Sequence, residues 1–117
     1  MSPKKNKIKE NKEQKLYMQQ TRDEAFLIDE KGTAVFFEMP TKSSTTYYAF
    51  HNAAPRGTII KVKNPGTKMV IYVKVLGAIP NTSQYHNSII GIADNAKKAL
   101  GITDNKVWCE LYYYPSR

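Results

Sequence analysis

The chain has 117 residues, a formal charge of +8, eight tyrosines and a single cysteine, Cys109. That length suits one small domain with a modest core, and one cysteine excludes an internal disulfide and any cysteine-based metal cluster. No apolar run approaches the ~20 residues that span a bilayer, and the stretch after the basic start MSPKKNKIK lacks the apolar segment of a signal peptide.

The charge is uneven. Residues 1–20 carry six Lys and two Glu, residues 21–30 one Arg and four acids, and residues 31–117 eleven bases and four acids. The folded part is therefore itself basic. Such a surface suits anionic partners, nucleic acid or an acidic cell-wall polymer, and serves plain solubility equally well.

Residues 1–15, Lys-rich and nearly free of large apolar groups, predict a disordered tail. The alternative there is a short helix over about Glu10–Ala25. We divide the chain into a tail or linker, 1–31, and a folded domain, 32–117, with Asp29-Glu30-Lys31-Gly32 as a turn between them. Strand signals follow at Thr33–Glu38, closed by Pro40, and at Ser43–Phe50. Gly57–Lys63 alternates, with Thr58, Ile60 and Val62 on one face. Pro65-Gly66 predicts a type II turn, with glycine at the position of positive φ. Met69, Ile71, Val73 and Val75 form the buried face of the next strand, opposite Lys68, Tyr72 and Lys74.

A polar loop, Gly77–Asn87, precedes a short buried strand, Ser88–Ile92. Ala93–Leu100 reads as a short helix stopped by Gly101. The last strand, Lys106–Tyr114, puts Val107, Cys109, Leu111 and Tyr113 inward and Trp108, Glu110, Tyr112 and Tyr114 outward. Six short strands and one short helix predict a mainly β fold, a small closed barrel whose closure removes exposed edges.

The run HNAAPRGTIIKVKN, a turn, IYVKV, a Gly- and Pro-containing loop, then IIGIADNAKKALGI and a final strand, resembles the six-stranded double-psi β-barrel of the rare lipoprotein A family over about residues 32–114. Those proteins are septal-ring lytic transglycosylases, related in fold to expansins, and the nearest variant ends the LysM cell-wall proteins of Bacteroidetes-type bacteria. The resemblance implies a cell-envelope or periplasmic setting and a cell-wall glycan or peptidoglycan partner. His51, Pro55 and Gly57 match the family's His and Pro-x-Gly turn. The enzymes carry an Asp in Asn-Asp-Arg-Gly-Pro and another in Ile-Asp-Leu-Ser. Here those positions read Gly77 and Gly91, and the capping Ser is Ala93.

Glycosidic cleavage needs a carboxylic acid at the leaving oxygen, and hydrolysis normally needs a second carboxylate. The predicted domain offers Glu38, Asp94, Asp104 and Glu110, none at a family acid position. Asp94 reads as a helix cap or dipole partner. His51, with no carboxylate in sight to orient it, reads as a hydrogen-bonding cleft residue. Two histidines, His51 and His86, without an acid motif give no metal site, and nothing calls for a cofactor.

Trp108, Tyr112 and Tyr114 share one side of the last strand, where rings could stack on sugars while Lys61, Lys63 or Lys74 meet the carboxylates of peptidoglycan stems. The competing reading covers that face with the N-terminal segment or another chain. The expectation is a non-catalytic barrel that binds cell-wall polysaccharide, with His51, Tyr72, Lys74, Trp108 and Tyr112 contacting the ligand. A weak lytic transglycosylase is the alternative. A basic nucleic-acid-binding module is the third class, with charge and exposed rings but no RNP or GxxG motif in its favour.

Overall fold

The computed structural model describes residues 12–21, 27–39 and 45–114. The basic segment before residue 12 and the start of the predicted Ser43–Phe50 strand lie outside them. Six strands form one closed barrel: β1 (Ile28–Phe37), β2 (Tyr47–Phe50), β3 (Ile59–Asn64), β4 (Met69–Gly77), β5 (Ile90–Ala93) and β6 (Lys106–Tyr113). Around the wall they run β1, β5, β2, β4, β3, β6 and back to β1. β1 pairs in parallel with β5, and β2 with β4; the remaining contacts are antiparallel. Two parallel pairs between strands distant in sequence make the interlocked path that simple hairpins cannot.

The period-2 pattern decides which side chains fill the barrel. Ala34 and Phe36 of β1, Ala49 of β2, Ile60 and Val62 of β3, and Ile71, Val73 and Val75 of β4 point inward. Ile90 and Ile92 of β5 and Cys109, Leu111 and Tyr113 of β6 complete the core. Ile60, Ile90, Ile92 and Leu111 are fully buried, each stabilising the fold by about 1.5–3 kcal/mol. A second, smaller cluster lies on the outside of the wall: Val35, Phe37 and Ala93 beneath Tyr85 of the long loop, with Phe50 and Ile79 at its rim.

Three local expectations are corrected. Residues 29–32 do not turn; they run inside β1, because Asp29, Glu30, Lys31 and Gly32 pair with Tyr112, Leu111, Glu110 and Cys109 of β6. Long-range pairing overrides the local turn preference of that cluster. The β3–β4 connection is not a type II turn either, since Gly66 is not at positive φ. Asn64 turns its side chain back to accept the Gly66 N–H at 2.9 Å, the Lys68 N–H reaches the Asn64 carbonyl at 2.7 Å, and Lys68 takes the left-handed conformation with φ 67°. The Asn64 amide also donates to the Leu100 carbonyl at 3.0 Å, so this side chain ties the turn to the helix. That helix is divided, a 3₁₀ turn at Asp94–Ala96 followed by α2 (Lys97–Leu100), and it stops at Gly101 with φ 74° as expected.

The helical alternative at the N-terminus is realised as α1 (Lys12–Thr21), which lies across β3 and β4. A ten-residue helix is marginal alone in water, so its packing holds it. Tyr17 stacks on Tyr72 with ring centroids 5.3 Å apart, and the buried Glu13 carboxylate accepts a hydrogen bond from the Thr46 hydroxyl at 3.0 Å.

Candidate ligand-binding site at one end of the barrel

Strand directions gather the sequence-marked positions at one end. β2 and β4 run parallel and finish there, β3 and β5 begin there, and the antiparallel pairing of β1 with β6 brings the start of one to the end of the other. Phe50, the last residue of β2, is paired with Gly77 on one side and Gly91 on the other. Gly77 and Gly91 therefore flank the residue before His51. The His51 N–H continues the ladder onto the Gly77 carbonyl at 2.9 Å.

From there the His51 side chain turns across the barrel end and is buried, 3% exposed, edge-on to Tyr113 at 4.9 Å between centroids. Its Nδ1 accepts the backbone N–H groups of Ala53 (3.1 Å) and Ala54 (2.9 Å). An acceptor at Nδ1 leaves the proton on Nε2 in the neutral ring. Nε2 then donates to Glu30 Oε1 at 2.9 Å. Tyr113 O–H points at the same oxygen at 3.5 Å, and burial followed by the Glu30 charge pushes the Tyr113 phenol up to about 12. The histidine does have a carboxylate partner.

Glu30 is the residue that sequence reasoning missed. The assumed turn at 29–32 put it outside the domain. The signal was present in the alternation: Ile28, Glu30, Gly32, Ala34 and Phe36 share one phase, with Asp29 and Lys31 exposed between them. An acid in phase with a buried apolar face calls for a partner, and His51 is that partner.

The two glycines differ in what surrounds them. A Cβ on Gly77 would meet nothing within 4 Å, whereas one on Gly91 would fall 2.7 Å from Tyr85 Cε1. The ring of the long loop occupies the space beside Gly91. Of the other acids, Asp94 accepts the Met39 N–H at 3.4 Å, and Glu110 accepts the Tyr112 hydroxyl at 2.8 Å, which with partial burial pushes that phenol up to about 12. Glu38 and Asp104 are exposed. Among the described residues, no group of three or more His, Cys, Asp or Glu is placed to hold a metal ion.

Beside His51, the long loop encloses a shallow cavity of about 360 Å³. Asn52, Asn81, Thr82, His86, Asn87 and Ser88 supply its polar lining, with Ile79, Pro80 and Tyr85 between them. Asn52 shapes the rim by accepting the Ile79 N–H at 2.9 Å. Amides and hydroxyls around a few apolar faces can meet polyhydroxylated ligands from several directions.

The expected contact residues are not gathered at one place. His51 belongs to the barrel end. By strand alternation Tyr72 and Lys74 of β4 and Tyr112 of β6 face outward from the wall. There Tyr17 of α1 covers Tyr72 and lies close enough to Tyr112 and Tyr114 for their charges to raise its own phenol, which burial first pushes up to about 12. Lys61 Nζ sits 5.8 Å from the centre of the Tyr112 ring. Trp108, paired with Thr33, is 56% exposed.

The fold defines a class. Solved structures share it: the apo form of an expansin from Clavibacter michiganensis matches at 19% identity and TM-score 0.52, covering 77% of this chain and 51% of the expansin. A variant of that expansin in complex with cellohexaose matches at 17% identity and TM-score 0.51 over the same shares. The rationally designed apDPBB_sym_79 protein matches at 14% identity and TM-score 0.53, covering 73% of this chain and 99% of the designed one. The protein is a double-psi β-barrel. It spans about half the length of the expansin. No protein-family model matches the chain, and no curated protein matches it.

Proposed function

We propose that this barrel is a non-catalytic module that binds a cell-wall polysaccharide, peptidoglycan or a related glycan, in the cell envelope. The observation that carries the reading is the barrel end itself. His51 stands in its hydrogen-bonded frame, neither Gly77 nor Gly91 supplies a carboxylate, and an amide-lined cavity of about 360 Å³ adjoins. The expansin seen with cellohexaose supports the ligand class, because it combines this fold with a glycan in one protein. The test is sedimentation with purified peptidoglycan and with cellulose at low and physiological salt. Saturable retention, weakened by Asn52→Ala and His86→Ala in the cavity, is expected; no retention on either at low salt refutes the reading.

A second reading, weak lytic transglycosylase, is favoured by one observation: Glu30 is a part-exposed carboxyl group beside His51. In its protonated form it could give its proton to the leaving glycosidic oxygen while an internal sugar hydroxyl closes on the anomeric carbon and returns a proton to the carboxylate. Release of anhydro-muropeptides from denuded glycan by the wild type, and not by Glu30→Gln, would establish it over the binding module.

A further inference from the structure

Where a histidine meets a carboxylate in an active site, the carboxylate usually orients the ring and the ring does the work. At this barrel end the backbone reverses the roles. Ala53 and Ala54 N–H groups hold Nδ1, Nε2–H is given to Glu30, and the ring is 3% exposed, so no nitrogen of His51 faces solvent. The Glu30 side chain is 35% exposed. Among the described residues its hydrogen bonds, from His51 and from Tyr113, fall on Oε1. Oε2 is left as an acceptor whose carboxylate is already held in place, so little side-chain freedom remains to be lost when a ligand arrives.

We propose that Glu30 Oε2 is the ligand-contacting atom of this barrel end. It accepts hydrogen bonds from hydroxyl groups of a neutral sugar, and His51 acts as a positioning residue behind it. The proposal rests on the glycan-binding reading above and adds to it the contacting group and the ligand's chemistry. A hydroxyl fits better than an ammonium group: from the start of β1, residues 28–117 carry eleven bases against six acids, Asp29 and Glu30 included, and a domain of that charge repels a cationic ligand. The neighbouring carboxylate, Asp29, is engaged by Lys31 at 3.5 Å.

The test titrates the full chain with two hexamers of the same backbone, neutral chitohexaose and its de-N-acetylated, ammonium-bearing counterpart. The wild type should bind the neutral one, and Glu30→Gln should weaken that binding by about tenfold or more, as loss of a charge-assisted acceptor does. His51→Asn keeps an acceptor where Nδ1 stood but removes the donor to Glu30 and part of a buried ring. It should lower the melting temperature yet, measured where the variant is folded, weaken binding several-fold, and the double variant should bind no more weakly than Glu30→Gln alone. Neutral-glycan binding unchanged in Glu30→Gln overturns the proposal while the glycan reading stands. Binding of the ammonium hexamer alone overturns the hydroxyl assignment. Failure of the wild type to bind any glycan overturns both. Nitrogen NMR of the wild-type ring adds a check that needs no variant to fold: a proton on Nδ1 rather than Nε2 overturns the reversed roles.

Discussion

Gly77 and Gly91 look equivalent in the sequence and both pair with Phe50, yet the structure gives them opposite tolerance. At Gly91 an added Cβ would approach Tyr85 Cε1 to 2.7 Å and Cδ1 to 3.2 Å. Carbon atoms pack best at ~3.5–4.0 Å, so the Tyr85 ring would have to retreat by about 0.8 Å or more. That ring is the buried centre of the outer cluster, edge-on to Phe50 at 6.3 Å between centroids. Gly91→Ala should cost about 1–3 kcal/mol, the usual penalty for overpacking. At Gly77 the Cβ meets nothing and φ is not positive, so Gly77→Ala should be neutral or stabilising by about 0.4–1 kcal/mol through the unfolded chain. Thermal unfolding at one protein concentration reads the difference, at about 4–8 °C per kcal/mol for a domain of this size. Equal melting temperatures for the two variants would refute the argument. Gly77→Asp should also fold, returning a carboxylate beside His51, whereas Gly91→Asp should be the least stable of the set.

Tyr17→Ala should lower stability by about 1–2 kcal/mol, losing the ring pair with Tyr72 and its burial, and should speed proteolysis within residues 12–21; an unchanged cleavage rate would mean that α1 does not depend on that contact. Asn64→Ala removes the acceptor for Gly66 N–H and the donor to Leu100 and should cost about 1–3 kcal/mol, with Asn64→Asp, which restores only the acceptor, recovering part of it in urea denaturation. Stability should fall as pH rises above 9. Burial pushes Cys109 from 9.0 up to about 12 and Tyr113 from 10.0 up to about 12, so over that window the unfolded chain releases protons that the folded one keeps. The stabilisation is whole below pH 9 and lost progressively towards pH 12; a melting temperature flat from pH 9 to 11.5 would contradict it, as would ready modification of Cys109 by a thiol reagent at pH 8 in the folded protein.

Most of the wall was legible because its strands carry their own evidence. Ile60 and Val62, or Ile71, Val73 and Val75, alternate so regularly that one face must be buried, and Gly101 announced the helix end through the conformation it adopts. What stayed hidden depended on partners far along the chain. Residues 29–32 carry turn chemistry, and only the ladder to Cys109–Tyr112 keeps them extended. Pro65-Gly66 proposed one turn, and the Asn64 side chain, anchored on Leu100, imposed another. The helix α1 lacks the apolar stripe that predicts packing, since what it offers the barrel is chiefly one ring and one buried carboxylate.

The same dependence on distant pairing explains the site. His51 was identified from its neighbours Pro55 and Gly57, and the local part of that frame is realised: the Thr58 N–H closes a turn onto the Pro55 carbonyl at 3.0 Å, with Gly57 at φ 92°. That turn and the Ala53 and Ala54 amides fix which nitrogen keeps the proton, and all of them lie within seven residues of the ring. The group that receives the proton does not. Glu30 is twenty-one residues upstream, and it reaches His51 only because β1 runs antiparallel to β6 and the barrel closes between them. A shift of β1 by one residue would turn Glu30 outward and bring Asp29 or Lys31 into its phase. The chemistry of this barrel end is therefore a property of the register of β1, and a strand that begins at Thr33, five residues after Ile28, leaves out the carboxylate that orients His51.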